Sequence, residues 1–240
     1  GAAESGMAGL GRLAEEMVEA QRRWLRTRHT RVRLAESSGA RAVPRGVNAV
    51  VGRMAETYRA ITAQTGAATV VDSSKYPAEA AALCGRADVD VRVLHLVRDP
   101  RATAQSWRRA KAYIPAMGVL RSAGYWTAFN LASDRIGRRF GERYLRVAYE
   151  EFAARPREVT DRVMRWAGLP GPPPVDADGH AVLGANHTVT GNPDRLLSGP
   201  VRVRRDPGEP GRPGGLPWPH AAAATLLALP ALRRHGYRWR

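Results

Sequence analysis

The stretch that decides the fold is Val-Arg-Val-Leu-His-Leu-Val-Arg-Asp-Pro-Arg, residues 91–101. Its first seven positions are rich in apolar residues, which is typical of a short buried strand. Asp99 and Pro100 are favourable residues for the N-cap and first turn of a helix, which we expect to run through Trp107. The segment therefore predicts a strand that leads directly into a helix.

The same order of elements occurs on both sides of this segment. Ala68–Val71 is short and β-branched, and it is followed by a polar loop, after which Pro77 opens an Ala-rich helix. Tyr144–Tyr149 forms a third predicted strand behind a helix that carries Trp126. Strands that alternate with helices form right-handed crossovers and a parallel sheet with helices on its faces. The predicted fold class is α/β.

Helices dominate the two ends of the chain. Met7–Leu25 and Val47–Ile61 carry apolar residues at helical intervals, and Gly66 supplies a C-terminal stop for the second of them. A closing helix is predicted over Ala221–Arg234. We expect these elements to belong to one domain, residues 1–240, that includes the strands.

Two Pro/Gly-rich tracts interrupt the second half. Residues 170–174 and 207–219, past Gly168, are too rich in proline for regular structure, so we expect these two tracts to be loops over the domain and not a domain boundary.

Composition limits the class of protein. Of the 240 residues, 44% are hydrophobic, which is enough for a substantial core. The formal net charge of +16 is compatible with a nucleic acid or an anionic ligand, but the arginines are spread along the whole chain. The single cysteine, Cys84, excludes an internal disulfide, and no Cys/His grouping has the spacing of a zinc site.

The expected compartment follows from the same observations. The sequence contains no apolar stretch long enough to cross a bilayer and no signal-peptide pattern, so we expect a cytoplasmic protein without membrane partners. The chain begins with Gly1 and not with Met, which predicts a processed product or a fragment.

Two polar clusters follow predicted strands, where parallel α/β sheets bind ligands. The first is Asp72-Ser73-Ser74-Lys75, which offers two hydroxyls and a lysine beside a helix start. The alternative interpretation is an ordinary loop whose Asp and Ser cap that helix.

The second cluster is Arg98-Asp99-Pro100-Arg101, with Ser106 eight residues after Arg98. An arginine at a strand end can make a paired, charge-assisted contact with a phosphate, and a serine on the next helix can add a hydroxyl donor. The alternative is that Arg98 and Arg101 are surface charges and Ser106 packs. Two such loops after neighbouring strands favour a phosphorylated ligand.

These residues also carry a resemblance to a known family. Val70–Pro77 and Leu94–Ala102 with Ser106 resemble the PAPS-dependent sulfotransferases, particularly the bacterial members. Further ordered similarities run to the C-terminus: Trp126 with Asn130, Leu145–Phe152 with Pro156, Asn186–Pro193 with Arg195, and Leu232–Tyr237.

The resemblance implies a P-loop-NTPase-like, three-layer α/β fold and transfer of a sulfuryl group from 3′-phosphoadenosine 5′-phosphosulfate (PAPS) to a hydroxyl or amine. The acceptor would be a small molecule or a carbohydrate, and the product adenosine 3′,5′-bisphosphate. Arg98 and Ser106 match the residues that bind the donor's 3′-phosphate in the family. Arg195 is implied as a second phosphate contact in a late loop.

The reaction itself favours a lysine near the leaving group. In sulfuryl transfer the bridging oxygen of the departing phosphate gains negative charge, and a cation aimed at it lowers the barrier. Lys75 stands where some relatives carry a catalytic histidine, so we assign it to the sulfonate or leaving group, with Ser73 and Ser74 as hydroxyl contacts. This chemistry needs no metal, and the sequence indicates none.

The chain departs from the family in one respect. Family members carry a Gly/Ser/Thr-rich loop on the first strand that holds the 5′-phosphosulfate, and this sequence has neither that loop nor a G-x-x-x-x-G-K-[ST] motif. We therefore expect that an N-terminal segment with the first strand is missing and that the chain is inactive as it stands.

The general base and the rival functions stay open. His187 is the favoured base because His95 lies within a strand pattern, where a packed histidine is more common. Glu150 and Glu151 can orient an arginine or the acceptor, or be solvated charges. The rival functions are a nucleotide kinase or NTPase on a similar fold, and a basic nucleic-acid-binding module, which would need its arginines on one face.

Overall fold

Helices make up most of the described part of the chain. The structure is a computed structural model that describes residues 2–108, 115–184, 198–203 and 215–238. The side chains of residues 2–10, 12 and 13 are not described. The helices are α1 Ala2–Trp24, α2 Thr30–Ser37, α3 Arg45–Thr65, α4 Pro77–Cys84, α5 Pro100–Trp107, α6 Val119–Phe140, α7 Tyr149–Ala154, α8 Pro156–Ala167 and α9 Trp218–Leu232. The strands are β1 Val93–Val97, β2 Tyr144–Ala148, β3 His180–Leu183 and β4 Gly199–Arg202.

The strands form two small sheets. β1 and β2 are neighbours in a two-stranded parallel sheet, which confirms the predicted α/β class and two of the three predicted strands. β1 begins two residues later than predicted, and β2 ends at Ala148 because Tyr149 begins α7. β3 and β4 form an antiparallel pair with His180 opposite Arg202.

β3 and β4 lie between the two Pro/Gly-rich tracts and were not predicted from the sequence. The β3 strand lies beyond the prolines of residues 170–174, and Asp176 Oδ1 accepts hydrogen bonds from the backbone N–H groups of Asp178 and His180, which hold the turn before β3. The predicted tract 207–219 lies mostly outside the described residues, and at its end Trp218 already begins α9.

The predicted strand Ala68–Val71 was wrong, because this segment has no regular structure. No sheet formed by the described residues includes it, and Val71 is 85% exposed. An extended segment without a neighbouring strand leaves its backbone groups to solvent, so sequence propensity alone does not make it a strand.

The described residues divide into two compact units, residues 1–93 with 131–144 and residues 94–130 with 145–240. In the first unit, α1 and α3 form a core with Leu25, Val47 and Leu83. The α3 helix ends as predicted at Gly66, which has φ +68 and donates its N–H to Thr62 O at 2.9 Å. The α2 helix was not predicted, because its sequence carries no clear apolar stripe.

In the second unit the helices α5, α6 and α9 pack through small residues. Ala104, Ala123 and Ala224 are fully buried in one cluster with Val119. Small side chains allow helix backbones to approach closely. The predicted closing helix is present as α9, although it starts three residues earlier, at Trp218. Among the described residues, no helix has the length and apolar character that spanning a bilayer requires.

Candidate functional site

The turn between β1 and α5, in the second unit, carries the predicted phosphate-binding arginine. β1 ends at Val97, Arg98 follows it, and Asp99 is the N-cap of α5 with Pro100 in the first turn. Asp99 Oδ1 accepts a hydrogen bond from the backbone N–H of Arg101 at 2.8 Å. The predicted capping role of Asp99 is confirmed.

Arg101 is bound to the cap and not to solvent. Its Nε lies 3.0 Å from Asp99 Oδ1 and its Nη2 lies 2.6 Å from Asp99 Oδ2, and both side chains are almost completely buried. The hydrogen bonds to Asp99 raise the pKa of Arg101. The interpretation of Arg101 as a surface charge was therefore wrong, and its charge cancels that of Asp99 within the turn.

Three further contacts hold the backbone of this turn. Glu150 Oε1 accepts a hydrogen bond from the Asp99 N–H at 2.8 Å, and Glu150 Oε2 accepts one from the Tyr237 hydroxyl at 2.7 Å. Trp126 Nε1 donates to the Arg98 carbonyl at 2.8 Å. The end of β1 is thus held by Glu150 of α7 and by Trp126 of α6, and Tyr237 in turn holds Glu150.

The side chains of Arg98 and Ser106 are both half-buried in the second unit. The Arg98 guanidinium carbon lies 5.1 Å from the centroid of the Tyr149 ring, a cation–π distance. Stacking on an aromatic face is one of the contacts that orient a guanidinium group in proteins. Ser106 lies on α5, the helix that Asp99 caps.

A histidine cluster packs below this turn. His95 Nε2 lies 2.8 Å from Asn130 Oδ1, and the His95 ring contacts the His235 ring edge to face at 5.7 Å. Burial and the charges of Arg146 and Arg234 lower the pKa of His235 to about 4. Both histidines are packed in the unit, which agrees with the interpretation of His95 as a core residue.

Sequence reasoning missed the part that Tyr237 takes in this network. Tyr237 came into the sequence analysis only through the resemblance of Leu232–Tyr237 to the family. Its hydroxyl contacts Glu150 and also lies 3.3 Å from the Val97 carbonyl. The signal was present in the sequence as a C-terminal tyrosine after Gly236, but nothing local connects that tyrosine to a strand end more than a hundred residues earlier.

The Ser73–Lys75 loop belongs to the first unit. Ser73, Ser74 and Lys75 are exposed, and the Asp72 side chain accepts hydrogen bonds from the Ser74 N–H at 2.7 Å and from the Tyr58 hydroxyl. Asp72 thus holds the loop, but it does not cap α4 as the alternative interpretation expected, because the N-cap of α4 is Tyr76 and has no side-chain cap hydrogen bond. The Ser73 hydroxyl and the lysine remain at the surface, whereas the Ser74 hydroxyl is hydrogen-bonded to Glu79.

Lys75 has an unusual backbone. Its φ is +74, and it is the one residue other than glycine with a positive φ in the described chain. This left-handed conformation costs about 1–2 kcal/mol for a residue with a side chain. Strain of this kind is concentrated at functional sites, where the surrounding structure imposes it.

Two predicted residues, His187 and Arg195, lie outside the described residues. The proposed base and the second phosphate contact stay predictions.

A charged cavity of about 310 Å³ lies between α7 and α8 in the second unit. Its charges pair with one another: Arg162 binds both oxygens of Glu151 at 2.8 Å, and Arg165 contacts Asp161 at 2.9 Å. Glu151 is thus paired with an arginine, and the adjacent arginine lowers its pKa. Neither Arg98 nor Ser106 lines this cavity.

One group of described residues has metal-ligand types within reach of one another. Asp176, Asp178 and His180 place one potential ligand atom each within 4.8 Å of the others. All three are exposed, and Asp176 already caps the turn before β3. The turn accounts for this arrangement, and the group lies apart from the residues of the predicted site in sequence.

Comparison with known proteins adds no relative to these observations: no family model, no curated protein and no solved structure matches this chain.

Proposed function

We propose that this chain is a PAPS-dependent sulfotransferase domain with a P-loop-NTPase-like arrangement of helices around its parallel sheet. The observation that carries the proposal is the turn after β1, where Arg98 precedes a capped helix that bears Ser106. The turn supports binding of a ribose-linked phosphate, and the resemblance identifies that phosphate as the 3′-phosphate of the donor.

The electrostatics of this turn support an anionic ligand. Asp99 and Arg101 neutralise each other at 2.6 Å in a buried pair, so Arg98 is the arginine of this turn that we assign to the phosphate. The partly buried guanidinium on Tyr149 interacts with a phosphate in a lower dielectric than bulk water, which strengthens the attraction. Ser106 supplies a hydroxyl donor to the same phosphate.

The proposed role of Lys75 is to stabilise the sulfuryl group and its leaving oxygen. The lysine side chain is exposed and its backbone is held at φ +74 by a loop that Asp72 fixes. A cation beside the leaving oxygen lowers the barrier of an in-line displacement because it stabilises the negative charge that develops there. Ser73 and Ser74 add hydroxyl donors, and the acceptor is a hydroxyl or an amine of a small molecule or carbohydrate.

His187 and Arg195 complete the proposal as the base and as a second phosphate contact. They stand on the resemblance alone.

The test is nucleotide binding measured by isothermal titration calorimetry. We expect adenosine 3′,5′-bisphosphate to bind at least ten times more tightly than AMP, because the second nucleotide lacks the phosphate that Arg98 and Ser106 contact. Equal affinities would contradict the proposal. Tighter binding of ATP would favour a kinase or NTPase, and tight binding of an oligonucleotide would favour the nucleic-acid module.

Variants show which residues carry the preference. Ser106→Ala should weaken binding of the bisphosphate by about 1.5–3 kcal/mol, the contribution of a hydrogen bond to a charged group. Arg138→Ala tests the effect of net charge alone, because Arg138 is an exposed arginine at the end of α6. An equal loss in the control would show that the affinity reflects only the net positive charge.

A further inference from the structure

A second cavity lies within the first unit, among α1, α3 and α4. Its volume is about 120 Å³. Val18 is 47% exposed, so the cavity is reached from solvent on the side of α1. Most of the lining is apolar and includes Met17, Val18, Val50 and Met54. The two polar side chains of the lining are Gln21 and Glu79.

Glu79 is the chemical feature of this cavity. It lies in the first turn of α4, and the residue is only 4% exposed. Its Oε2 accepts a hydrogen bond from Gln21 Nε2 at 3.1 Å. Burial raises the pKa of this carboxyl, and the hydrogen bonds from Gln21 and Ser74 act against that change.

A carboxylate in apolar surroundings is costly unless a cation pairs with it. Among the described residues, no arginine, lysine or histidine forms a salt bridge with Glu79, although arginines of the same unit pair with Glu16, Glu36 and Asp88. The partners of Glu79 are the neutral side chains of Gln21 and Ser74. The cavity thus holds a buried acid without a cation.

We propose that this cavity binds a small primary amine, with its ammonium group on the Glu79 carboxylate and its alkyl group among Met17, Val50 and Met54. An ammonium has three donors and no acceptor, so it matches a carboxylate that already accepts from Gln21. A protein cavity of roughly 150 Å³ holds benzene, so a cavity of this size holds an alkyl chain of about four carbons.

The lining discriminates against the alternative ligands. An anion would be repelled by the Glu79 carboxylate, because no positively charged side chain in the described part of the chain lines the cavity. A hydrocarbon of the same length fills the apolar part but supplies no cation to the Glu79 carboxylate. The proposal stands without the nucleotide function, because the amine would contact Glu79 and the apolar lining, and only Ser74, a partner of Glu79, is also assigned to the donor site.

The experiment uses the full chain with its methionine methyl groups labelled with carbon-13. The chain has five methionines, and Met17 and Met54 line the cavity whereas Met164 lies on α8 in the other unit. Titration with n-butylammonium chloride at constant ionic strength should shift the Met17 and Met54 signals in a saturable manner. The Met164 signal should stay unchanged.

The ligand series tests the charge requirement without any change to the protein. Sodium butyrate should give no saturable shift, and n-butanol should bind at least ten times more weakly than n-butylammonium. Equal responses to the three ligands would overturn the proposal, because they would reflect apolar contact alone. Shifts that grow linearly up to the highest concentration would overturn it as well.

The variant Glu79→Gln keeps the side-chain shape and removes the charge. It should weaken n-butylammonium binding at least tenfold, whereas Glu56→Gln, on the exposed side of α3, should leave the affinity unchanged. Unchanged affinity in Glu79→Gln would refute the proposed contact. Circular dichroism establishes that each variant is folded, and should Glu79→Gln unfold, the ligand series decides.

Discussion

The two polar loops that the sequence places after strands are held in different ways. The turn at Arg98 and Asp99 is fixed by a side-chain cap, by the Glu150 carboxylate and by the Trp126 indole. The loop at Ser73–Lys75 is exposed, and its support among the described residues is mainly the Asp72 side chain, with Ser74 also bonded to Glu79. The first loop is a rigid support for a side chain, whereas the second holds a strained residue at the surface.

The difference shows what each loop needs to form. The Arg98 turn contains an Asp-Pro pair that caps its own helix, so its local sequence specifies where that helix starts. The Ser73–Lys75 loop follows a segment that has no neighbouring strand, so its shape depends on contacts with other helices, such as that of Tyr58 with Asp72.

Removing the cap should damage the Arg98 turn most. Asp99→Ala deletes the N-cap and leaves the buried Arg101 without its carboxylate, which should lower the free energy of unfolding by about 3–5 kcal/mol. Urea denaturation measures the loss. The control is Asp90→Ala, whose exposed pair with Arg92 at 3.7 Å should contribute less than about 0.5 kcal/mol. Similar losses in both variants would show that the turn does not depend on its cap.

Acid should weaken the second unit through His235. The folded-state pKa is about 4, below the ordinary value of 6.5, so the unfolded chain takes up a proton first as the pH falls. The free energy of unfolding therefore has its full value above about pH 7. Protonation of His235 lowers it between pH 6.5 and pH 4, by about 3 kcal/mol in total.

The variant His235→Gln isolates this effect. The difference in unfolding free energy between the wild type and His235→Gln should decrease by that amount when urea denaturation is repeated from pH 7 to pH 4. A difference that is the same at every pH would mean that His235 has no depressed pKa in the folded state.

The Tyr237 hydroxyl should contribute a smaller amount to the same turn. Tyr237→Phe removes the hydrogen bonds to Glu150 and to the Val97 carbonyl, so the free energy of unfolding should fall by about 1–2 kcal/mol. Thermal unfolding followed by circular dichroism measures the change. Tyr125→Phe, at an exposed position on α6, should leave the midpoint nearly unchanged. A neutral result for Tyr237→Phe would remove this residue from the support of the strand end.

The smallest effect should have the opposite sign. Glycine adopts positive φ without steric cost, so Lys75→Gly should relieve strain and raise the unfolding free energy by about 0.5 kcal/mol after the entropy cost of glycine. Lys75→Ala keeps the strain and should give no gain. A loss of stability in Lys75→Gly larger than in Lys75→Ala would show that the loop does not strain Lys75.

Local signals in the sequence explain what could be predicted. Gly66 ends α3, Asp99 caps α5 and Pro77 opens α4 because each acts through its own backbone or its immediate neighbours. Ala68–Val71 could not be predicted in the same way, because a strand exists only through its partner. The Leu96 side chain on β1 is exposed, which shows in the same way that the sequence of one strand does not determine whether both faces of its sheet are covered.

The site was predictable to a similar degree. The sequence placed Arg98 and Ser106 on a strand end and the next helix, and the structure has them there. The supporting contacts of Glu150 and Tyr237 join residues that are 87 positions apart, and no local pattern reveals such a pair. The buried Glu79 was missed because an acidic residue in a first helical turn is an ordinary helix-start signal, whatever surrounds it.

The central claim is that Arg98 binds the phosphate that distinguishes adenosine 3′,5′-bisphosphate from AMP. The most direct measurement is calorimetric titration of both nucleotides into the wild type and Arg98→Ala. We predict that Arg98→Ala loses about 2–5 kcal/mol of binding free energy for the bisphosphate and little for AMP, so that the two affinities converge. An unchanged preference for the bisphosphate in Arg98→Ala would contradict the claim.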